Sequence, residues 1–142
     1  TEGLQGRYHY NYELFADWGD FTDGPHAQLG FVFGDNPLEN QAGDDIDLAS
    51  GEDFAKIASW QAIVSWKFPV GSGDMALEPI LRIGWADTNT DISDNEVWGF
   101  TPGLQIFFYK RNKLALNWDI ASPTTDALRS ENSFKARLQF HF

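Results

Sequence analysis

The chain has 142 residues, with 21 Asp and Glu against 10 Lys and Arg and a formal charge of −11 at neutral pH, a balance that repels phosphate backbones and argues against nucleic acid as a partner. No apolar run approaches the roughly 18 residues that a transmembrane helix needs, and the absence of Cys removes any disulfide framework. The departure from an ordinary soluble composition is aromatic: twelve Phe, six Trp and four Tyr, the side chains that membrane-spanning strands place at the two lipid–water interfaces.

Thr1 opens the chain with neither Met nor a charged-then-apolar leader, which reads as a processed or trimmed product. From there, period-two alternation predicts seven strands, at about 6–18, 26–34, 56–69, 75–87, 97–109, 113–121 and 133–142, mostly of the length that a tilted spanning strand requires. The first puts Tyr8, Tyr10, Tyr12 and Leu14 on its apolar face, and the second Ala27, Leu29, Phe31 and Phe33. The third has Ala58, Trp60, Ala62, Val64, Trp66 and Phe68; the fourth Leu77, Leu81, Ile83 and Trp85. Trp98, Phe100, Leu104, Ile106 and Phe108 follow in the fifth, and Leu114, Leu116, Trp118 and Ile120 in the sixth. The last ten residues alternate without a miss, with Phe134, Ala136, Leu138, Phe140 and Phe142 on one face and Lys135, Arg137, Gln139 and His141 on the other. Pro79 and Pro102 fall on the apolar register and cannot donate to a ladder, so bulges are expected there.

Connections alternate in length. Those at 19–25, 70–74 and 109–113 are short and carry turn residues, whereas those at 35–55, 88–96 and 122–132 are long. This is the asymmetry of an outer-membrane barrel, with short turns in the periplasm and long loops outside. In that orientation Trp60, Trp85, Trp98 and Phe134 form an outer aromatic girdle, and Trp18, Phe68, Phe108 and Phe142 an inner one. The expected fold is therefore all-β, an antiparallel up-and-down transmembrane β-barrel occupying residues 1–142 as one domain or the C-terminal portion of one. An odd strand count leaves the start of the first strand outside, so a further segment or chain is expected to complete the barrel. A soluble sandwich with one wet face also gives alternation, as does a soluble barrel turned apolar-side-in around a lipid or pigment.

With the apolar face toward lipid, the opposite register lines a lumen. Its charged members are Arg7, Glu13, Asp17, Lys67, Glu78, Arg82, Asp119, Lys135, Arg137 and His141. Lys135, Arg137 and His141, together with Arg82, form a stripe that favours anions, or else serve as salt bridges in the wall. Thirteen of the 21 acids fall in or beside the long connections. Among them Asp44, Asp45, Asp47, Glu52 and Asp53 supply oxygens of the kind Ca²⁺ takes, without the spacing of a regular calcium loop, so no metal and no cofactor is expected. His9, His26, His141, Ser59 and Ser65 could in principle assemble a hydrolase site, yet no motif orders a nucleophile, a base and an orienter, and no catalytic residue is assigned.

The stretch Gly103-Leu-Gln-Ile-Phe-Phe-Tyr-Lys-Arg-Asn-Lys-Leu-Ala-Leu-Asn-Trp-Asp-Ile120, with Ser133-Phe-Lys-Ala-Arg-Leu-Gln-Phe-His-Phe142 after a polar loop, resembles the closing strands of outer-membrane porins, most of all the phosphate-selective porin family. Leu77-Glu-Pro-Ile-Leu-Arg-Ile-Gly-Trp-Ala-Asp87 is similar to the strand that precedes that hairpin. The resemblance implies a water-filled barrel of sixteen strands, usually trimeric, passing small anions across a Gram-negative outer membrane. Its expected partners are outer-membrane lipid and lipopolysaccharide, small solutes, and a further barrel segment or homo-oligomer. The alternative function is a small, non-conducting structural barrel that contacts partners through its acidic outer loops.

Overall fold

A computed structural model of the chain describes residues 8–20, 22–46, 52–71, 73–109, 111–125 and 130–141. They form one antiparallel sheet whose spatial order follows the chain: β1 (Asn11–Gly19), β2 (Gly24–Asn40), β3 (Phe54–Pro69), β4 (Ala76–Asp87), β5 (Val97–Phe108), β6 (Asn112–Pro123) and β7 (Glu131–Gln139). All seven alternating segments are strands. Among the described residues β1 and β7 do not pair with each other, so the sheet is open.

Strand ends depart from the expectation in three places. The connection expected at 35–55 is shorter, because β2 continues to Asn40 and β3 begins at Phe54. In the β2–β3 ladder the register shifts between Asn36 and Asn40, where Pro37 supplies no donor. At the other end of the first hairpin, Tyr8–Tyr10 lie outside β1, yet the Tyr10 N–H donates to the Asp35 carboxylate (2.9 Å) and the Asp35 N–H to the Tyr10 carbonyl (2.9 Å). Likewise β7 stops at Gln139, and the His141 N–H donates to Asn112 Oδ1 (2.9 Å). Arg7 and Phe142 lie outside the described residues.

The bulges expected at Pro79 and Pro102 are absent. In the β3–β4 ladder the pairs Ser65↔Ile80 and Phe68↔Leu77 keep one register across a gap opposite Pro79, and in β5–β6 Phe100↔Ile120 and Gly103↔Asn117 do the same opposite Pro102. On their other sides both prolines pair in unbroken register, Pro79 with Leu104 and Pro102 with Leu81. An antiparallel residue directs its N–H to one neighbouring strand only. A proline therefore interrupts one ladder and leaves the other whole, and no extra residue is needed.

Two glycines are required by geometry. Gly19 closes β1 at φ +98°, where a Cβ would lie 2.2 Å from the Pro25 carbonyl oxygen. At Gly34 a Cβ would lie 2.2 Å from the Tyr10 carbonyl oxygen, so the close approach of β1 to β2 depends on its absence.

A single layer has no second layer to bury its faces. Among the described residues only Phe54 and Ala55 are buried apolar residues, while Trp18, Trp66, Trp118 and Phe134 are each more than half exposed. A soluble chain of this length encloses a core. Here the apolar side chains are organised, but within the sheet nothing covers them.

Candidate functional site: the two faces of the sheet

Residues directly opposite on antiparallel strands share a face, so the registers assign every side chain. One row reads Trp18, Ala27, Val64, Leu81, Pro102, and continues to Trp118 opposite Phe134. Another reads Tyr12, Phe33, Ala58, and a third Leu14, Phe31, Trp60, Trp85, Trp98. The paired members of all seven apolar sets fall on this one face.

Aromatic residues bound that face at both ends. Toward the long connections, Trp60, Trp85 and Trp98 stand in one row with the Trp60 and Trp98 rings edge-on at 5.8 Å, and Tyr12 stacks on Phe33 at 5.1 Å. Toward the short turns stand Trp18, Phe68 and Phe108, the last edge-on to Phe140 at 6.3 Å. The belts run obliquely to the rows. The row through Trp18 meets β5 at Pro102, six residues short of Phe108 and four strand steps away, while the row through Phe134 meets β1 at Trp18, six residues from Tyr12 and six steps away. With a rise of about 3.3 Å per residue and about 4.8 Å between strands, each aromatic set is skewed from the rows by about 35–45°.

The opposite face mixes polar and charged residues with small and apolar ones. A groove of about 650 Å³ runs beside Glu13, Phe15, Gln61 and the small residues Gly30, Gly84 and Gly99, which occupy the row Phe15, Gly30, Gln61, Gly84, Gly99, Ala121, Glu131. Most of the expected charged residues lie here: Lys67 in the row of Gly24, Glu78 opposite Gln105, Arg82 opposite Thr101, Lys135 opposite Asn117, Arg137 opposite Ala115 and Asp119 opposite Ser133. Beyond the end of β7, the His141 ring nitrogen lies 2.8 Å from the Gln139 amide nitrogen.

Their pairing divides the expected anion-favouring stripe. Asp119 takes the Lys135 ammonium (2.6 Å) on one carboxylate oxygen, and the Arg82 guanidinium (3.1 Å) and Thr101 hydroxyl (2.8 Å) on the other. Two cations thus share one anion. By contrast, Lys67 and Arg137 lie within 4 Å of no carboxylate among the described residues, and Lys113 donates only to the neutral Gln105 oxygen (2.7 Å). Lys113 was not in the sequence-derived lumen set, although its parity on β6 is that of Asn117 and Asp119.

Of the residues weighed for hydrolysis, His26 lies opposite Ser65 and 3.5 Å from the Asp17 carboxylate. The Ser65 hydroxyl donates to the Glu78 carboxylate (2.9 Å). Among the described residues no three acidic or histidine side chains converge as a metal site; Asp47 of the acidic loop lies outside them.

Beyond the outer belt, the long connections interlock. Asn89, 1 % exposed, donates from Nδ2 to the Asn40 carbonyl (3.1 Å), and its Oδ1 accepts from the Asp91 N–H (3.2 Å). Its own N–H is held by Asp87 (2.9 Å), and its carbonyl accepts from Asn95 and Ile92. Asn36 Nδ2 reaches the Thr88 carbonyl (3.1 Å), and the Thr90 N–H the Lys56 carbonyl (2.8 Å). Nothing in the alternation pattern marks this cap; the clustering of Asn and Asp at 35–40 and 87–95 is the only trace of it in the sequence.

Beside the cap, Asp35 pairs with Lys56, and that ammonium together with the Tyr10 N–H holds its carboxyl below the ordinary 3.8. A group whose folded pKa is depressed adds stability above its unfolded pKa and loses it as pH falls through the folded value. The outer end of the first hairpin is therefore expected to loosen below about pH 3.8, by a modest amount because Lys56 is 57 % exposed and the pair is screened. Amide exchange at Tyr10 and Asp35 measured against pH checks this, and Asp35→Asn is expected to remove the dependence.

No protein-family model matches this chain, and neither the curated proteins nor the solved structures contain a significant match to it.

Proposed function

We propose that this sheet is part of the wall of a passive diffusion channel of porin type in a bacterial outer membrane, with its apolar face against lipid and its polar face against water. The observation that carries the reading is the pairing of one apolar face, bounded at both ends by aromatic residues, with one polar face across seven strands. Lipid covers such a face without a second protein layer, and the 12-residue strands β4, β5 and β6 match the 9–11 residues or so that a tilted strand needs to cross.

Closure follows from strand direction. β1 and β7 run the same way, since six antiparallel steps separate them. Joining them edge to edge would make a parallel pair, so a fully antiparallel barrel needs an odd number of additional strands between them. One strand gives a filled barrel of eight; more give an open channel. The resemblance of the last 65 residues to phosphate-selective porins favours the larger closure and small anions as solutes.

The smaller, non-conducting barrel has one observation in its favour. Phe15, Val32, Ile63, Ile80 and Phe107 stand on the polar face, and apolar side chains of that size would pack the interior of an eight-stranded barrel.

Single-channel recording of the natively purified protein in a planar bilayer under a salt gradient decides between the two. Discrete current steps with a reversal potential of anion sign are expected. A correctly inserted particle that passes no current would overturn the channel and leave the filled barrel.

A further inference from the structure

We propose that the polar face carries a binding site for small carboxylates with an apolar body, built around Phe107 between Lys67 and Lys113; the site rests on the reading of this face as water-exposed. Phe107 lies half-buried on a face that is otherwise mostly polar, opposite Ala76 on β4 and Lys113 on β6. The Lys67 ammonium sits 4.0 Å and the Lys113 ammonium 5.6 Å from the ring centroid, so the two are no more than 9.6 Å apart.

What distinguishes this cluster is its excess of positive charge: Lys67, Lys113 and Arg137 share the rows with one carboxylate, Glu78, which the register places opposite Lys67 and which accepts from the Ser65 hydroxyl (2.9 Å). Arg82 and Lys135, farther along the same face, share Asp119. Lys67, Lys113 and Arg137 have no carboxylate within 4 Å among the described residues. An ammonium over an aromatic face gives up part of its hydration and gains attraction to the ring, but keeps its full charge. Fixed charge on a low-dielectric wall focuses potential along it. An anion approaching this wall therefore meets a larger net positive charge here, three cations to one carboxylate, than at the Asp119 cluster, two cations to one.

The chemistry of the floor selects among anions. Ala76, Phe107 and Ala115 lie on one face in adjacent rows, with Lys67, Lys113 and Arg137 around them, Gln105 bonded to Lys113, and Glu78, held by the Ser65 hydroxyl, opposite Gln105. A bare inorganic anion uses the rim alone. A carboxylate attached to a ring or short chain uses both, placing its oxygens toward the ammonium groups and its body on the ring and methyl groups, where apolar contact adds to affinity.

Equilibrium binding to the intact detergent-solubilised protein tests the site without requiring conduction, with benzoate and acetate as probes followed by calorimetry. Benzoate is expected to bind at least tenfold more tightly than acetate. Lys67→Gln with Lys113→Gln is expected to weaken benzoate at least tenfold, Lys67→Arg with Lys113→Arg to retain most of it, and Phe107→Ala to abolish the preference over acetate. Equal affinities for the two probes, or a loss in Arg82→Gln with Lys135→Gln as large as in the lysine pair, would overturn the proposal. Bilayer recording separates the two readings: binding without conductance removes the channel and keeps the site, and conductance without binding does the reverse.

Discussion

Val64→Arg is expected to lower the stability of the folded, inserted protein by about 2–4 kcal/mol, which is the cost of a cationic side chain on the lipid face of a barrel at the bilayer midplane. Val64 lies four residues from Trp60 and four from Phe68 on β3, midway between the belts, and is half exposed between Ala27 and Leu81. Gln61→Arg, three residues away on the other face, is expected to change stability by less than about 0.5 kcal/mol, because Gly30 and Gly84 opposite it leave room. Ala58→Arg, on the same apolar face but beyond Trp60, is expected to cost only about 0–1 kcal/mol, as interfacial positions do. Urea titration of protein refolded into lipid vesicles measures all three. A peak at Val64 that falls toward Ala58 is the profile of depth in a bilayer. Costs that follow local packing and ignore depth, or a protein that needs no vesicle to fold, would sink the membrane assignment.

That profile can be specified because the faces were legible in the sequence. The paired members of all seven apolar sets fall on a single face, since a period-two pattern and an antiparallel register express the same constraint. Boundaries were less legible. The continuation of β2 past Asp35 rests on Asn36, Pro37 and Asn40 at the register shift, residues that read as turn formers when only local preference is considered. The prolines erred in the opposite direction. A bulge was expected at Pro79 and Pro102, but a proline whose missing N–H faces one ladder leaves the register of both intact.

The polar face was legible in its membership and not in its pairing. Alternation places Lys135, Arg82 and Asp119 on one side, but it cannot say that the carboxylate of β6 stands between a cation of β4 and one of β7. Those contacts depend on how far each strand slides past the next. For the same reason Lys113 escaped notice: one step from a tight turn, its partner Phe107 becomes visible only through the hairpin register Phe107↔Lys113.

The outer cap provides the second large effect. Asn89→Leu is expected to destabilise the interlocked connections by about 2–3 kcal/mol, because a buried amide that donates to the Asn40 carbonyl and accepts from the Asp91 N–H would be replaced by a group that does neither. Asn89→Asp keeps the acceptor but loses the donor and brings a second carboxylate beside the buried Asp87, so it is expected to cost at least as much. Asn95→Ala removes only one bond, to the Asn89 carbonyl, which retains the Ile92 N–H, and is expected to cost about 1 kcal/mol. Hydrogen exchange reads the difference locally. At Asn40, Thr90 and Ile92, whose amides close the cap, protection is expected to fall about 30- to 160-fold in Asn89→Leu, the equivalent of that free energy when exchange follows local opening. Amides in the middle of β4 and β5 are expected to stay protected, because their ladder does not pass through the cap. Equal loss of protection in strands and cap would show that the connections hold the sheet together; no loss in the cap would show that Asn89 is not its keystone.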